Sequence, residues 1–148
     1  AAYFKSQGNA VKARLAGLHK WAAGRANEIP KDGRILITSH DAYNYFGRAY
    51  NFQVTGLQGI STVTEAGLKE MASLVDFIKK HKVKAIFVES SVSPAAIRRI
   101  SQDAGVKIGG ELFSDAMGTP GQMENGYDVG TYEGMIKHNL NTIVDALK

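Results

Sequence analysis

The chain has 148 residues, 44% hydrophobic and 22% charged, the size and balance of one ordinary globular domain and not of a disordered segment. It contains no cysteine, which excludes disulfide frameworks, thiolate metal sites and cysteine nucleophiles together. Lys and Arg outnumber Asp and Glu by 18 to 14, but the positive residues are scattered along helix faces, so no nucleic-acid partner is expected.

Residues 9–29 carry Val11, Leu15, Leu18 and Ala22 at three- and four-residue spacing, with Trp21 beside them, which predicts an amphipathic helix ended by Pro30. Gly8 weakens any extension of it toward Ala1. A strand follows over residues 35–38, a short helix over 41–50 and a second strand over 52–57. Thr62 and Glu65 form a capping box for the next helix, where Leu68, Met71, Val75 and Ile78 share one face. That helix should end near His81, where Lys79, Lys80, Lys82 and Lys84 complement its dipole. Residues 85–88 are a continuous apolar run, as in a strand buried on both faces. Ser93-Pro94 starts a helix that buries Ile97 and Ile100 and stops at Gly105. A fourth strand spans 107–113, and residues 116–130, rich in glycine and holding Pro120, read as a loop. Thr131 opens a last helix with Ile136, Leu140, Ile143 and Leu147 in its apolar stripe.

Repeated strand–helix units predict an α/β fold: a four-stranded, mainly parallel sheet with helices on both faces, preceded by a long helix that looks like a connection to something else. No run approaches the length of a membrane span, and no charged-then-apolar leader opens the chain.

His40, Glu89 and Asp115 each fall at the C-terminal end of a predicted strand. Parallel strands bring those ends to one edge of the sheet, where α/β proteins bind ligands, so the three side chains are candidates to converge. A histidine with carboxylates suits a divalent metal, although two or three such groups do not complete a four-coordinate site. His19, His81 and His138 fit packing or surface roles better. No glycine-rich loop has the spacing of a phosphate cradle, and Ser90-Ser91 lacks a glycine elbow. Glu89 is a candidate general base with no identifiable partner. Tyr43, Phe46 and Tyr50 share one helical face and, with Tyr45, pack the short helix more readily than they stack on bases.

Several segments together resemble the zinc- and manganese-binding proteins of bacterial ABC importers, the TroA-like cluster A-I solute-binding family. These are Thr38-Ser39-His40-Asp41-Ala42-Tyr43-Asn44-Tyr45-Phe46, Gly56-Leu57-Gln58-Gly59-Ile60-Ser61-Thr62, Ile86-Phe87-Val88-Glu89-Ser90-Ser91, Gly109-Gly110-Glu111-Leu112-Phe113-Ser114-Asp115-Ala116-Met117-Gly118 and Gly134-Met135-Ile136-Lys137-His138-Asn139. The resemblance implies two α/β lobes joined by one stiff helix, with the metal held between them. Residues 1–30 then match the connecting helix and 31–148 the C-terminal lobe, while the N-terminal lobe with two histidine ligands is absent. His40 and Asp115 match the remaining metal ligands, Glu89 a supporting position behind them, and Tyr132 and His138 further supporting residues. A metal-binding component that is not an enzyme is implied, handling zinc or manganese, with iron also possible at Asp115, outside the cytoplasmic membrane and lipid-anchored in a full-length form. Its partner is an ABC permease. The rival readings are a small doubly wound hydrolase or transferase with Glu89 as base, and a surface adhesion or interaction module.

Overall fold

The computed structural model describes residues 2–58 and 67–148. A long helix α1 (Ala2–Ala26) is followed by a single 3-10 turn at Lys31–Gly33. Then come β1 (Ile35–His40), α2 (Asn44–Tyr50), β2 (Gln53–Gln58), α3 (Leu68–His81), β3 (Ala85–Glu89), α4 (Ala95–Ala104) and β4 (Lys107–Leu112). A two-residue hairpin, β5 (Met123–Glu124) and β6 (Tyr127–Asp128), precedes the last helix α5 (Tyr132–Leu147).

Helices cover both faces of the parallel strands, as expected, but the sheet is not one continuous four-stranded ladder. β1 pairs in parallel with β2 and β3 in parallel with β4, each as a two-stranded ladder. β1 and β3 lie side by side, and a side chain joins their ends: the His40 N–H donates to Glu89 Oε1 at 2.9 Å. A register shift between Ile86 and Phe87 bends the second pair.

Every residue of β1 is buried, and its alternation sorts the core into two layers. Leu36 packs with Ala85 and Phe87 against Ala22 and Ala26 of α1 and Leu140, Ile143 and Leu147 of α5. Ile35 and Ile37 pack with Ile86 against Leu74 and Ile78 of α3 and Ile97 and Ile100 of α4. His40 and Glu89 have the parity of Leu36 and Phe87, so both side chains belong to the α1–α5 side.

Several boundaries differ from the sequence reading. α1 runs through Gly8 to Ala2, a single glycine costing a helix only about 1 kcal/mol. It ends at Ala26, short of Pro30, where Arg34 takes over the chain's polar groups: its guanidinium donates to the Ile29 carbonyl and to Asn27 Oδ1. In α1 only Leu18, Ala22 and Ala26 are buried; Val11 and Leu15 of the expected stripe are exposed. The capping box at Thr62 and Glu65 lies outside the described residues, and Leu68, expected on the buried face of α3, is 87% exposed. The buried face is instead Leu74 and Ile78, with Met71 and Val75 half-buried beside them. Pro94 is already helical at φ −77° and Ser93 Oγ accepts from the Ala95 N–H, and Gly105 closes α4 at φ 68°. Thr131 caps α5, its hydroxyl accepting from the Gly134 N–H at 3.1 Å.

Candidate functional site

The three predicted residues meet at the C-terminal ends of β1 and β3, but in a row and not around one point. His40 is the centre. Its Nε2 lies 3.0 Å from Asp115 Oδ2 on one side, and its Nδ1 lies 2.9 Å from Glu89 Oε2 on the other. The Nδ1 contact is out of line for a hydrogen bond, so Nδ1 and Glu89 Oε2 are buried with no hydrogen-bond partner among the described residues. Glu89 anchors itself through its other oxygen, which accepts the His40 backbone N–H. Among the described residues no three His, Asp or Glu side chains surround a common point.

Burial divides the roles. The side chains of His40 and Glu89 are 3% and 0% exposed, whereas that of Asp115 is 59% exposed. The Asp115 carboxylate therefore faces solvent, with the buried imidazole behind it and in contact with it through Nε2. The corner that carries His40 is tight: Gly56 donates its N–H to Asp41 Oδ1, and a Cβ on Gly56 would stand 2.6 Å from that oxygen and from the His40 carbonyl carbon. Thr38 Oγ1 donates to the His40 carbonyl at 3.0 Å.

Asp115 comes from the loop after β4, with its backbone in the left-handed region at φ 58°. The chain just before it is held by α2 and α5. Asn139 Oδ1 accepts the Phe113 N–H and Asn139 Nδ2 donates to the Phe113 carbonyl, which also accepts from the Tyr43 hydroxyl. Burial, reinforced by the negative charges of Glu89 and Asp115, pushes the Tyr43 hydroxyl far above the ordinary tyrosine range, so it remains a donor at any working pH. Tyr43 was legible in the sequence only as helix packing, and Asn139 not at all. An amide inside a helix's apolar stripe, where propensity disfavours it, was the available signal.

Beside the pair opens a cavity of about 510 Å³ lined by Tyr43, Phe46, Phe113, Asp115, Met117, Tyr132 and Asn139 among others. Glu89 and His40 are buried behind Asp115 and are not among the residues lining this cavity. His138 supports the scaffold from behind, its Nε2 reaching the Glu111 carbonyl at 3.0 Å. His19 meets the Tyr50 hydroxyl and His81 stacks on Phe77, both away from the site. Phe46 packs on Tyr43, Tyr50 and Phe52, while Tyr45 is exposed beneath Arg48.

A family model described as "Zinc-uptake complex component A periplasmic" (ZnuA) matches residues 1–146. The chain belongs to this family. It is 45% identical to the manganese-binding lipoprotein MntA of Bacillus subtilis over 98% of this chain, and 46% identical to the zinc-binding protein TroA of Treponema pallidum over 97%. The solved structure of the Treponema pallidum periplasmic zinc-binding protein TroA superposes with a TM-score of 0.89 at 42% identity, covering 97% of this chain and 52% of that one. The chain spans about half the length of the curated relatives it matches, 47% of each.

Proposed function

We propose that this chain supplies one lobe, and half of the ligands, of an extracytoplasmic solute-binding protein that captures a divalent cation for an ABC permease. Residues 1–30 serve as the connecting helix and 31–148 as the C-terminal lobe, with the other ligands coming from an N-terminal lobe. The single observation that carries this is the His40–Asp115 pair, a buried imidazole against a carboxylate that lines an open cleft. Two ligands of one tetrahedral zinc ion, each at about 2.0–2.1 Å from the metal, lie about 3.3 Å apart. His40 Nε2 and Asp115 Oδ2, at 3.0 Å, need to part by only a few tenths of an ångström to hold one.

The metal is cargo, and no covalent bond of a substrate is made or broken. An imidazole with a carboxylate suits zinc, and the hard oxygen keeps manganese and ferrous iron within range. Capture requires Nε2 to give up any proton it shares with Asp115, so binding releases protons and weakens in acid. Glu89, behind the ring, holds the end of β1 by accepting the His40 backbone N–H. The relatives are named as lipoproteins or as periplasmic, which supports a location outside the cytoplasmic membrane and a lipid anchor in the full-length form.

The test is a zinc titration of the chain followed by NMR of the four histidine rings. Zinc should perturb His40 first, with modest affinity because two donors are available. His40→Ala and Asp115→Asn should each weaken binding at least as much as the about 10–100-fold typical of losing a mere supporting contact. Unchanged affinity in both variants, or zinc settling first on exposed His19 or His81, would remove these residues from the site.

A further inference from the structure

Asp115 has to meet His40 within a few tenths of an ångström, yet its side chain is 59% exposed and it sits beyond the last residue of β4. A loop is a poor platform for such a group unless its backbone is fixed. The fixing occurs two residues earlier. β4 ends at Leu112, so Phe113 has left the ladder that would satisfy its main-chain groups. Asn139 replaces the missing strand, accepting the Phe113 N–H at 2.9 Å and donating to the Phe113 carbonyl at 2.8 Å. The Tyr43 hydroxyl donates to the same carbonyl at 2.8 Å. Tyr43, Phe113 and Asn139 are all buried, so none of these bonds competes with water.

We propose that Asn139, seconded by Tyr43, is a positioning residue for metal capture: by gripping the Phe113 backbone it delivers the Asp115 carboxylate to His40 Nε2. This rests on the His40–Asp115 reading of the site. The geometry distinguishes it from ordinary core packing. Asn139 follows His138 and precedes Leu140 on the buried side of α5, where an apolar residue would satisfy the core alone. The amide instead spends its oxygen and one N–H on a single residue of the loop that carries the ligand. The hydroxyl partner comes from Tyr43, just past the end of the strand that carries His40. The two ligand-bearing segments are thus tied to each other through Phe113 before any metal arrives.

A double-mutant cycle on the whole chain tests this, with zinc as the probe and a chromophoric chelator as competitor. Asn139→Leu, which keeps the volume and removes the grip, should lower zinc affinity about tenfold when Asp115 is present. In the Asp115→Asn background the same substitution should change affinity less than about twofold, because the carboxylate it positions is gone. An equal loss in both backgrounds, or no loss in either, overturns the proposal. Asp115→Asn alone tests the underlying site: if it leaves zinc affinity unchanged, the site reading fails, and the positioning role with it. Should Asn139→Leu not fold, Tyr43→Phe decides. Removing one of the two donors to the Phe113 carbonyl should cost about threefold in affinity with Asp115 present and nothing without it. Parental affinity in Tyr43→Phe would then count against the proposal.

Discussion

Asp115 pays for its place with a backbone angle that few side chains accept. At φ 58° an ordinary L-residue meets its own carbonyl, at a cost of about 1–2 kcal/mol, while Asp and Asn tolerate the region through local hydrogen bonding. The usual alanine test therefore confounds two effects at this position. Asp115→Ala should lower the urea midpoint by an amount equivalent to about 1 kcal/mol, whereas Asp115→Asn should leave it within experimental scatter. Both should weaken zinc binding. An alanine variant as stable as the asparagine variant would mean that the left-handed angle is relaxed in solution. The same residue shows what a sequence can and cannot convey about a site. A polar residue at or shortly beyond the C-terminal end of a parallel strand falls on the rim of the sheet, so the proximity of His40, Glu89 and Asp115 was legible. Their order in space was not, because nothing in the spacing tells that Glu89 lies behind the ring and Asp115 before it. The grip of Asn139 on Phe113 joins residues 26 apart in sequence, through an amide that no local pattern requires.

At the scale of elements, α1 and α5 are lashed together at one end by a chain of charges. Arg25 reaches Glu28 at 2.7 Å, Asp145 at 2.6 Å and Asn141 at 2.8 Å, and Lys148 reaches Glu28 at 2.6 Å. Lys148, then Arg25, hold the Glu28 carboxyl below its ordinary range. A carboxyl whose folded value is depressed contributes stability above its unfolded value of about 4.5 and loses it as pH falls through the folded value. Glu28→Gln should thus lower the melting temperature slightly at pH 7 and by less near pH 3, measured by the melting temperature at each pH. Equal destabilisation at both values would mean that shape, not charge, is the contribution. Arg34 works differently, since among the described residues its buried guanidinium meets neutral acceptors at Asn27, Ile29 and Tyr50 and so ties the ends of α1 and α2 to β1. Strands β1 and β3 were legible from the apolar runs that burial on both faces demands, whereas β2 and β4, largely half-buried or exposed, were legible only from the alternation of strands with helices. The hairpin at 123–128 was missed although Asn125-Gly126, at φ 52° and 81°, is a strong turn signal. Its strands are two residues long and carry no alternation to read. The missing ladder between β1 and β3 was equally invisible, because apolar runs predict neighbours and not the hydrogen bonds between them.

For the molecule as a whole, the two-layer core fixes which parts of the chain the lobe requires. Each face of the strands is covered by its own apolar cluster, and α1 contributes to only one of them, through Ala22 and Ala26, with Trp21 packed at the margin. The preceding two-thirds of α1, with Tyr3 69% and Phe4 76% exposed, touches the lobe mainly through an exposed Arg14–Glu133 pair. Exposed pairs contribute about 0–1 kcal/mol, and a helix without a packed face is marginal in water. Removing residues 1–16 should therefore leave the cooperative unfolding midpoint of the lobe almost unchanged, with a loss of helical signal proportional to the residues removed. Removing residues 1–29 is a different operation. It uncovers Leu140, Val144 and Leu147 of α5, takes away Ile29, which is fully buried, and leaves Arg34 without Asn27 and the Ile29 carbonyl. Burial of large aliphatic side chains is worth about 1.5–3 kcal/mol each, so this cut should remove a large share of the about 5–15 kcal/mol by which a domain is stable. Far-UV circular dichroism in urea separates the two outcomes. A 17–148 chain that no longer unfolds cooperatively would show that the exposed part of α1 is held by the lobe, and a 30–148 chain as stable as the parent would show that α1 is dispensable to it.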